Sequence, residues 1–390
     1  MTDKLDAAYW DRAQPELRGK PDDAQLIAFV ENEESLRHHV LFRTSGSSGV
    51  PRWVALSKRA LQWSAARVNE YLQCGADDRW GCALPTEHVG GFGVLARASV
   101  AGGTVSIFSG KWSAADFVKY SRFARITVTS LVPAQVYDLV RSGLESPPSL
   151  RVAVVGGGAL SPELARRARA LGWPVRASYG MTETASQIAT ETAGVSGEEG
   201  LPLIPPWEAK VDAEGRIWVR GGGLLSAYVV RQGDCWALQV PIREDGWFRT
   251  EDVGRITHSG WLVVEGRAAR VVKILGELVS LDRLDRLWEE VCGDAAGGDA
   301  ALSAVPDERR GFQIVLAVSG SWEAGRLERC RTAFDERVAA FERIQRIQRL
   351  NEIPRTALGK VRHEELGRQI VANQKSRAES KVLDESEPGD

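Results

Sequence analysis

Along this chain, short apolar runs alternate with stretches in which apolar residues recur every three or four positions. Residues 1 to about 37 are polar with little strand character, which predicts a helical or irregular lead-in. "HVLFRTS" then predicts a strand entering a run of small residues, and "RWVALS" a strand leaving it. Ser57 is placed to cap a helix over "KRALQWSAARVNEYLQ", where the period is helical. "RWGCALP", "GTVSIF", "RITVTSLVP" and "LRVAVVGGG" predict further short strands with helices between them. In "VAVVGGGALSPELARRARALG" the continuous apolar run predicts a strand buried on both faces, hence a parallel sheet covered by helices. Ser161 suits the N-cap of the following helix, Pro162 its first turn and Gly172 its end.

Strand, loop and helix thus alternate over the first ~175 residues, an α/β pattern. From about residue 207 the pattern shortens to alternating strands with glycine turns, as in "AKVDAEGRIWVRGGGLLSAYV" and "GWFRTEDVGRITHSGWLVVEGR", which predict antiparallel sheet. After Arg267 the texture changes again, to a helix from about Leu281, a strand at "FQIVLAVS" and a basic amphipathic helix. The expected organisation is a domain over 1–267, a smaller one over 268–372, and a disordered tail over 373–390, where apolar content is low.

Composition narrows the function classes. Hydrophobic residues at 43% and charged residues at 26% are ordinary for a globular protein. Fifty basic against fifty-two acidic side chains give a net charge of −2, which is no footprint for nucleic acid or for an anionic membrane. The polar N-terminus and the absence of a long apolar run predict a cytoplasmic protein. Five scattered cysteines (74, 82, 235, 292 and 330) without metal-type spacing predict reduced thiols. Oligomeric state is left open.

The small-residue run "RTSGSSGVPRWV" could simply turn the chain, or its bare amides and hydroxyls could surround a phosphate. It is not a Walker A loop, because Pro51 stands where the second glycine is required. "GGGALS" departs from the dinucleotide fingerprint at Ser161. "YGMTETAS" offers an aromatic ring, a hydroxyl and, in Glu183, a carboxylate hard enough for Mg²⁺. Asp252 of "FRTEDVGRI" stands in an apolar setting from which it could accept hydrogen bonds from a ribose diol, or cap a turn.

Taken in order, the hydroxyl/glycine loop, Y-G-x-T-E, T-x-D-x-G, a G-R junction and "PRTALGK" resemble the adenylate-forming superfamily over roughly residues 40 to 370. That superfamily comprises acyl-CoA synthetases, luciferases and peptide-synthetase adenylation domains. The resemblance implies a large α/β N-terminal domain of stacked sheets and helices with an antiparallel subdomain, and a small mobile α+β C-terminal domain. It implies ATP, Mg²⁺ and CoA as the small molecules used. Thr44, Ser45, Gly46, Ser47, Ser48 and Gly49, with Arg52, would hold the β- and γ-phosphates. Gly156, Gly157, Gly158 and Tyr179 would line the adenine slot. Thr182 would contact the α-phosphate, Glu183 the metal, and Asp252 and Arg267 the ribose. Lys360 would bridge carboxylate and α-phosphate during adenylation, and Gly276 would border the pantetheine tunnel.

Three departures stand out: Pro51-Arg52 where the family has Pro-Lys, Ala269 where its hinge has Asp or Lys, and a short N-terminal region. Within the superfamily, "TSLVPAQ", "PTEHVGGFGVLARASVAGG" and "YGMTETASQ" are similar to the o-succinylbenzoate–CoA ligases of menaquinone synthesis. On that similarity His88, Gly90 and Gln135 would border the acid, and hydroxyls, amides and water would hold its second carboxylate. The alternatives are a ligase for another aryl or fatty acid or for a carrier protein, and a non-catalytic nucleotide-binding relative.

Overall fold

A computed structural model describes residues 5–19, 21, 23–44, 52–193, 199–275, 277–293, 298–307, 309–323, 325–356, 359 and 361–384. The chain divides into two compact units, Met1–Val264 and Glu265–Asp390.

At the centre of the large unit lies a six-stranded sheet in the order Thr104–Ile107, Arg79–Cys82, Val128–Leu131, Val152–Val155, Val175–Met181, Ser186–Thr190. The first five strands are parallel and the last is antiparallel. The run Val152–Val155 is buried on both faces: Val152 and Val154 join one core, Ala153 and Val155 another. That split is what a period of two produces when helices cover both sides of a sheet. The first core also holds the helices Lys58–Leu72 and Val89–Ala101 and the inner face of a five-stranded sheet. The order in this second sheet is Glu16–Arg18, His39–Thr44, Arg52–Ser57, Ala227–Gln232, Cys235–Gln239. Its edge strand Glu16–Arg18 pairs parallel with His39–Thr44. Three residues flanked by Pro15 and Gly19 carry no strand period, so the lead-in gave no sign of it.

Local signals act as expected where they are strong. Ser57 accepts a hydrogen bond from the Ala60 amide, and Ser161 one from Leu164. The helix Val89–Ala101 is apolar around most of its circumference and correspondingly buried. A further sheet contains Glu208–Val211, Arg216–Arg220, Phe248–Ile256 and Leu262–Arg267, with the first three antiparallel in sequence.

The small unit has its own cores. A hairpin, Val271–Ile274 with Glu277–Ser280, precedes the helix Leu281–Cys292. A three-stranded sheet follows, Gly298–Asp307, Gly311–Gly320 and Ile344–Arg349, with the helix Arg326–Asp335 between its last two strands. The final helix runs His363–Asp384, past residue 372, where low apolar content predicted disorder. Residues 373–384 are mostly good helix formers, so a helix needs no core there to be the local preference. Among the described residues no helix is long and apolar enough to cross a membrane.

Candidate nucleotide and acid site

The strands His39–Thr44 and Arg52–Ser57 pair antiparallel with Thr44 opposite Arg52, so they bracket the small-residue loop. The Thr44 hydroxyl donates to the Arg52 carbonyl at 3.3 Å. Ser45, Gly46, Ser47, Ser48 and Gly49 lie outside the described residues.

Thr182–Thr184 form a single turn of 3₁₀ helix at the end of the strand Val175–Met181. Ala185 and Ser186, neither of them glycine, follow with φ of 52° and 96°. Positive φ at two consecutive non-glycine residues stores strain, which is characteristic of sites under functional constraint. The turn aims the Glu183 carboxylate inward. Its Oε1 accepts from Arg52 Nη2 at 3.1 Å and from the Tyr228 hydroxyl at 3.0 Å. The same Arg52 nitrogen reaches Glu251 at 3.2 Å, and the guanidinium lies 4.2 Å from the centre of the Tyr228 ring. Thus Arg52, which replaces the expected lysine, sits between two carboxylates. Both contacts to Glu183 fall on Oε1, and a carboxylate so held keeps a second hard oxygen, the donor type Mg²⁺ requires.

Tyr179 donates to Asp252 Oδ2 at 2.6 Å, so two of the residues expected around the nucleoside meet directly. Asp252 is buried. Gly156 follows the buried strand, and a Cβ there would stand 2.9 Å from the Ser178 hydroxyl. Gly157 has φ +75°, and a Cβ on Gly158 would touch Pro133. Tyr179 lies on the strand Val175–Met181, which pairs parallel with Val152–Val155, the strand that the glycine run follows. Thr182 is half-buried, and its hydroxyl has no hydrogen-bond partner among the described residues.

On the acid side, His88 is the N-cap residue of the helix Val89–Ala101 but makes no side-chain cap, and it is exposed. Gly90 has room for a methyl group, since only Leu84 comes near, at 3.6 Å. Gln135 is buried with both ends of its amide on backbone: Oε1 accepts from Val132 and Nε2 donates to the Ala83 carbonyl. These bonds cap its own helix and tie it to the neighbouring strand.

Sequence reasoning passed over Arg97, one turn beyond the segment "EHVGGFG". It is 3% exposed; its guanidinium donates to two hydroxyls, Ser130 at 3.4 Å and Ser186 at 3.1 Å, and lies 6.0 Å from the centre of the Trp80 ring. Among the described residues no carboxylate pairs with it. Burial draws its pKa down to about 10, so at neutral pH it remains a cation. Buried charges are ordinarily paired. The signal was present in the sequence, as an arginine inside an otherwise apolar helix.

Arg267, Gly276 and Lys360 belong to the small unit. The Arg267 amide donates to Asp282 at 2.7 Å. Gly276 and Lys360 lie outside the described residues.

Residues 10–229, more than half of the chain, match the AMP-binding enzyme family. The chain belongs to that family. Indoleacetate–CoA ligase of Aromatoleum aromaticum is 32% identical over 84% of this chain and 66% of its own length. 2-Succinylbenzoate–CoA ligase of Enterococcus faecalis is 28% identical over 82% of this chain and 67% of its own. Among solved structures, o-succinylbenzoate CoA synthetase (MenE) from Bacillus subtilis in complex with the acyl-adenylate intermediate OSB-AMP superposes with a TM-score of 0.75. It is 26% identical, and the match covers 84% of this chain and 68% of that one. The same enzyme with ATP and magnesium ion gives 0.73. The chain spans about two thirds of the length of the relatives it matches. Its fold is that of the adenylate-forming enzymes, as the order of motifs implied.

Proposed function

We propose that this AMP-binding protein is an AMP-forming acid–CoA ligase whose acid is o-succinylbenzoate, using ATP, Mg²⁺ and CoA. The observation that carries the choice of acid is the buried Arg97, which has no carboxylate partner among the described residues. It stands among Ser130 and Ser186, from the two strand-end segments that resemble those ligases. o-Succinylbenzoate has a second carboxylate that is not activated, and a desolvated guanidinium with two hydroxyls is a receptor for it. This replaces the expectation that hydroxyls, amides and water alone hold that group.

In this reading the other carboxylate attacks the α-phosphorus of ATP, forming acyl-adenylate and releasing pyrophosphate. The acid is already an anion, so positioning and charge neutralisation carry the rate and no general base is required. Thr182 meets the α-phosphate, Asp252 the ribose, and Lys360 the charge that grows at the reacting centre. Glu183 would hold Mg²⁺, which supplies charge neutralisation at the phosphates. The CoA thiol then displaces AMP.

The 32% identity to indoleacetate–CoA ligase favours a second reading, a ligase for an aryl monoacid. Pyrophosphate exchange and thioester formation with o-succinylbenzoate, indoleacetate, benzoate and 4-phenylbutyrate separate the two. o-Succinylbenzoate should be preferred by a wide margin, and Arg97→Met should lower its kcat/KM by about 10²-fold or more. A preference for indoleacetate, unchanged in Arg97→Met, would replace the acid while leaving the ligase chemistry standing.

A further inference from the structure

The family position that usually carries lysine carries Arg52 here, and its surroundings assign it a task in the nucleotide-free protein. Two carboxylates from distant parts of the sequence, Glu183 in its 3₁₀ turn and Glu251 in the strand Phe248–Ile256, converge on one nitrogen of Arg52. Two carboxylates this close repel one another, and as a pair of hard oxygen donors they attract a divalent cation. Arg52 supplies the opposing charge, and the Tyr228 ring beneath it and hydroxyl beside it hold the arrangement in place. All three charged side chains are largely shielded, with exposures of 24%, 11% and 29%, so their interaction is weakly screened compared with a surface pair.

We propose that Arg52 is an internal counter-ion that closes the Glu183–Glu251 pair to free divalent cations, so that metal enters this site only together with nucleotide. The inference rests on the reading of Glu183 as the metal ligand. A free Mg²⁺ ion would have to shed water and meet a cation already seated between the carboxylates. A polyphosphate changes that balance. It brings negative charge and further metal ligands, and it offers the guanidinium an alternative partner of the kind arginine binds well.

The way Arg52 is used also says which substitution preserves the task. Both ion pairs leave from Nη2, while Nε is buried without a hydrogen-bond partner among the described residues. Toward the described residues the guanidinium therefore works as a point cation, so a lysine ammonium should replace it.

The test titrates Mn²⁺ into the full-length, nucleotide-free protein and follows the free aquo ion by electron paramagnetic resonance. Wild type and Arg52→Lys should show no saturable binding that depends on Glu183 across the millimolar range. Arg52→Gln should gain one site, at least about ten-fold tighter than any wild-type binding, from removal of the repelling charge. Adding Glu183→Gln should abolish the gain. Binding at the Asp282, Asp285 and His363 group of the small unit, where Arg270 already pairs with both aspartates, would be unchanged by Glu183→Gln and so subtracts out. A circular-dichroism melt identifies folded variants. A folded Arg52→Gln protein with no added site would overturn the proposal. So would wild-type protein that binds Mn²⁺ saturably and loses that binding in Glu183→Gln, a comparison that stands even if Arg52→Gln does not fold. None of these readings needs acid, CoA or turnover, so they are independent of whether the protein ligates any acid.

Discussion

At the scale of single residues, charge is what departs from the ordinary. Among the described residues Arg97 is a cation without an anion, and Arg52 a cation between two. Lys360 is expected to act in adenylation alone. Lys360→Ala should lower acid-dependent ATP–pyrophosphate exchange by ~10²–10³-fold, as removal of one preorganised charge donor does. Thioester formation from preformed acyl-adenylate should survive, and equal loss of both half-reactions would refute the assignment. His39 gives a prediction of different sign. Burial is the main cause that draws its imidazole below the ordinary histidine range, and its ring nitrogens engage the Arg37 carbonyl and the Ser226 hydroxyl. Below about pH 6.5 the unfolded chain binds a proton there that the folded one resists. Stability should therefore fall as pH falls through that value, and His39→Gln should show a smaller drop in Tm between pH 7 and pH 5. Residues of this kind divide sharply in legibility. Glu183, Tyr179 and Asp252 were readable because they stand in motifs, whereas Arg97 was missed because it stands in a helix that otherwise reads as core.

At the scale of elements, backbone approach sets the site. A Cβ on Gly180 would lie 1.8 Å from the Ser186 carbonyl oxygen, in the strand that carries Tyr179 into the Thr182–Thr184 turn. No side-chain rotation relieves a clash with backbone, so Gly180→Ala should cost about 3 kcal/mol or more, at or above the upper range for overpacking. Gly75, with nothing within 4 Å of such an atom, is the control: Gly75→Ala should stay within about 0.5 kcal/mol. Urea melts of the two variants make the comparison. The strands and caps of the α/β region were legible because buried parallel strands and capped helices have strong local signatures, as Val152–Val155 and Ser161 show. The strand Gly298–Asp307 was not, since its first four residues are glycine, aspartate and two alanines, which carry little strand preference. Its place is fixed instead by pairing along the whole length of Gly311–Gly320. The bonds of Gln135 were equally invisible, because capping depends on where the neighbouring carbonyls lie.

At the scale of the whole molecule, separate cores imply separable stabilities. Phe334 is fully buried in the core of the small unit, against Trp288. Phe334→Ala should destabilise that unit by about 3–5 kcal/mol. Calorimetry should then resolve an early transition for residues 265–390, while the later transition of residues 1–264 keeps its wild-type midpoint. A melt that remained a single transition, shifted as a whole, would show one cooperative molecule. The near-neutral net charge hides a local imbalance inside the large unit, and it bears on laboratory practice. A desolvated guanidinium that lacks a carboxylate is a standing demand for any small anion, so the choice of buffer salt becomes an experimental variable. If Arg97 receives the acid as proposed, chloride or sulfate should raise the apparent KM for o-succinylbenzoate more than an equal ionic strength supplied by a large, weakly coordinating anion, and Arg97→Met should remove that difference.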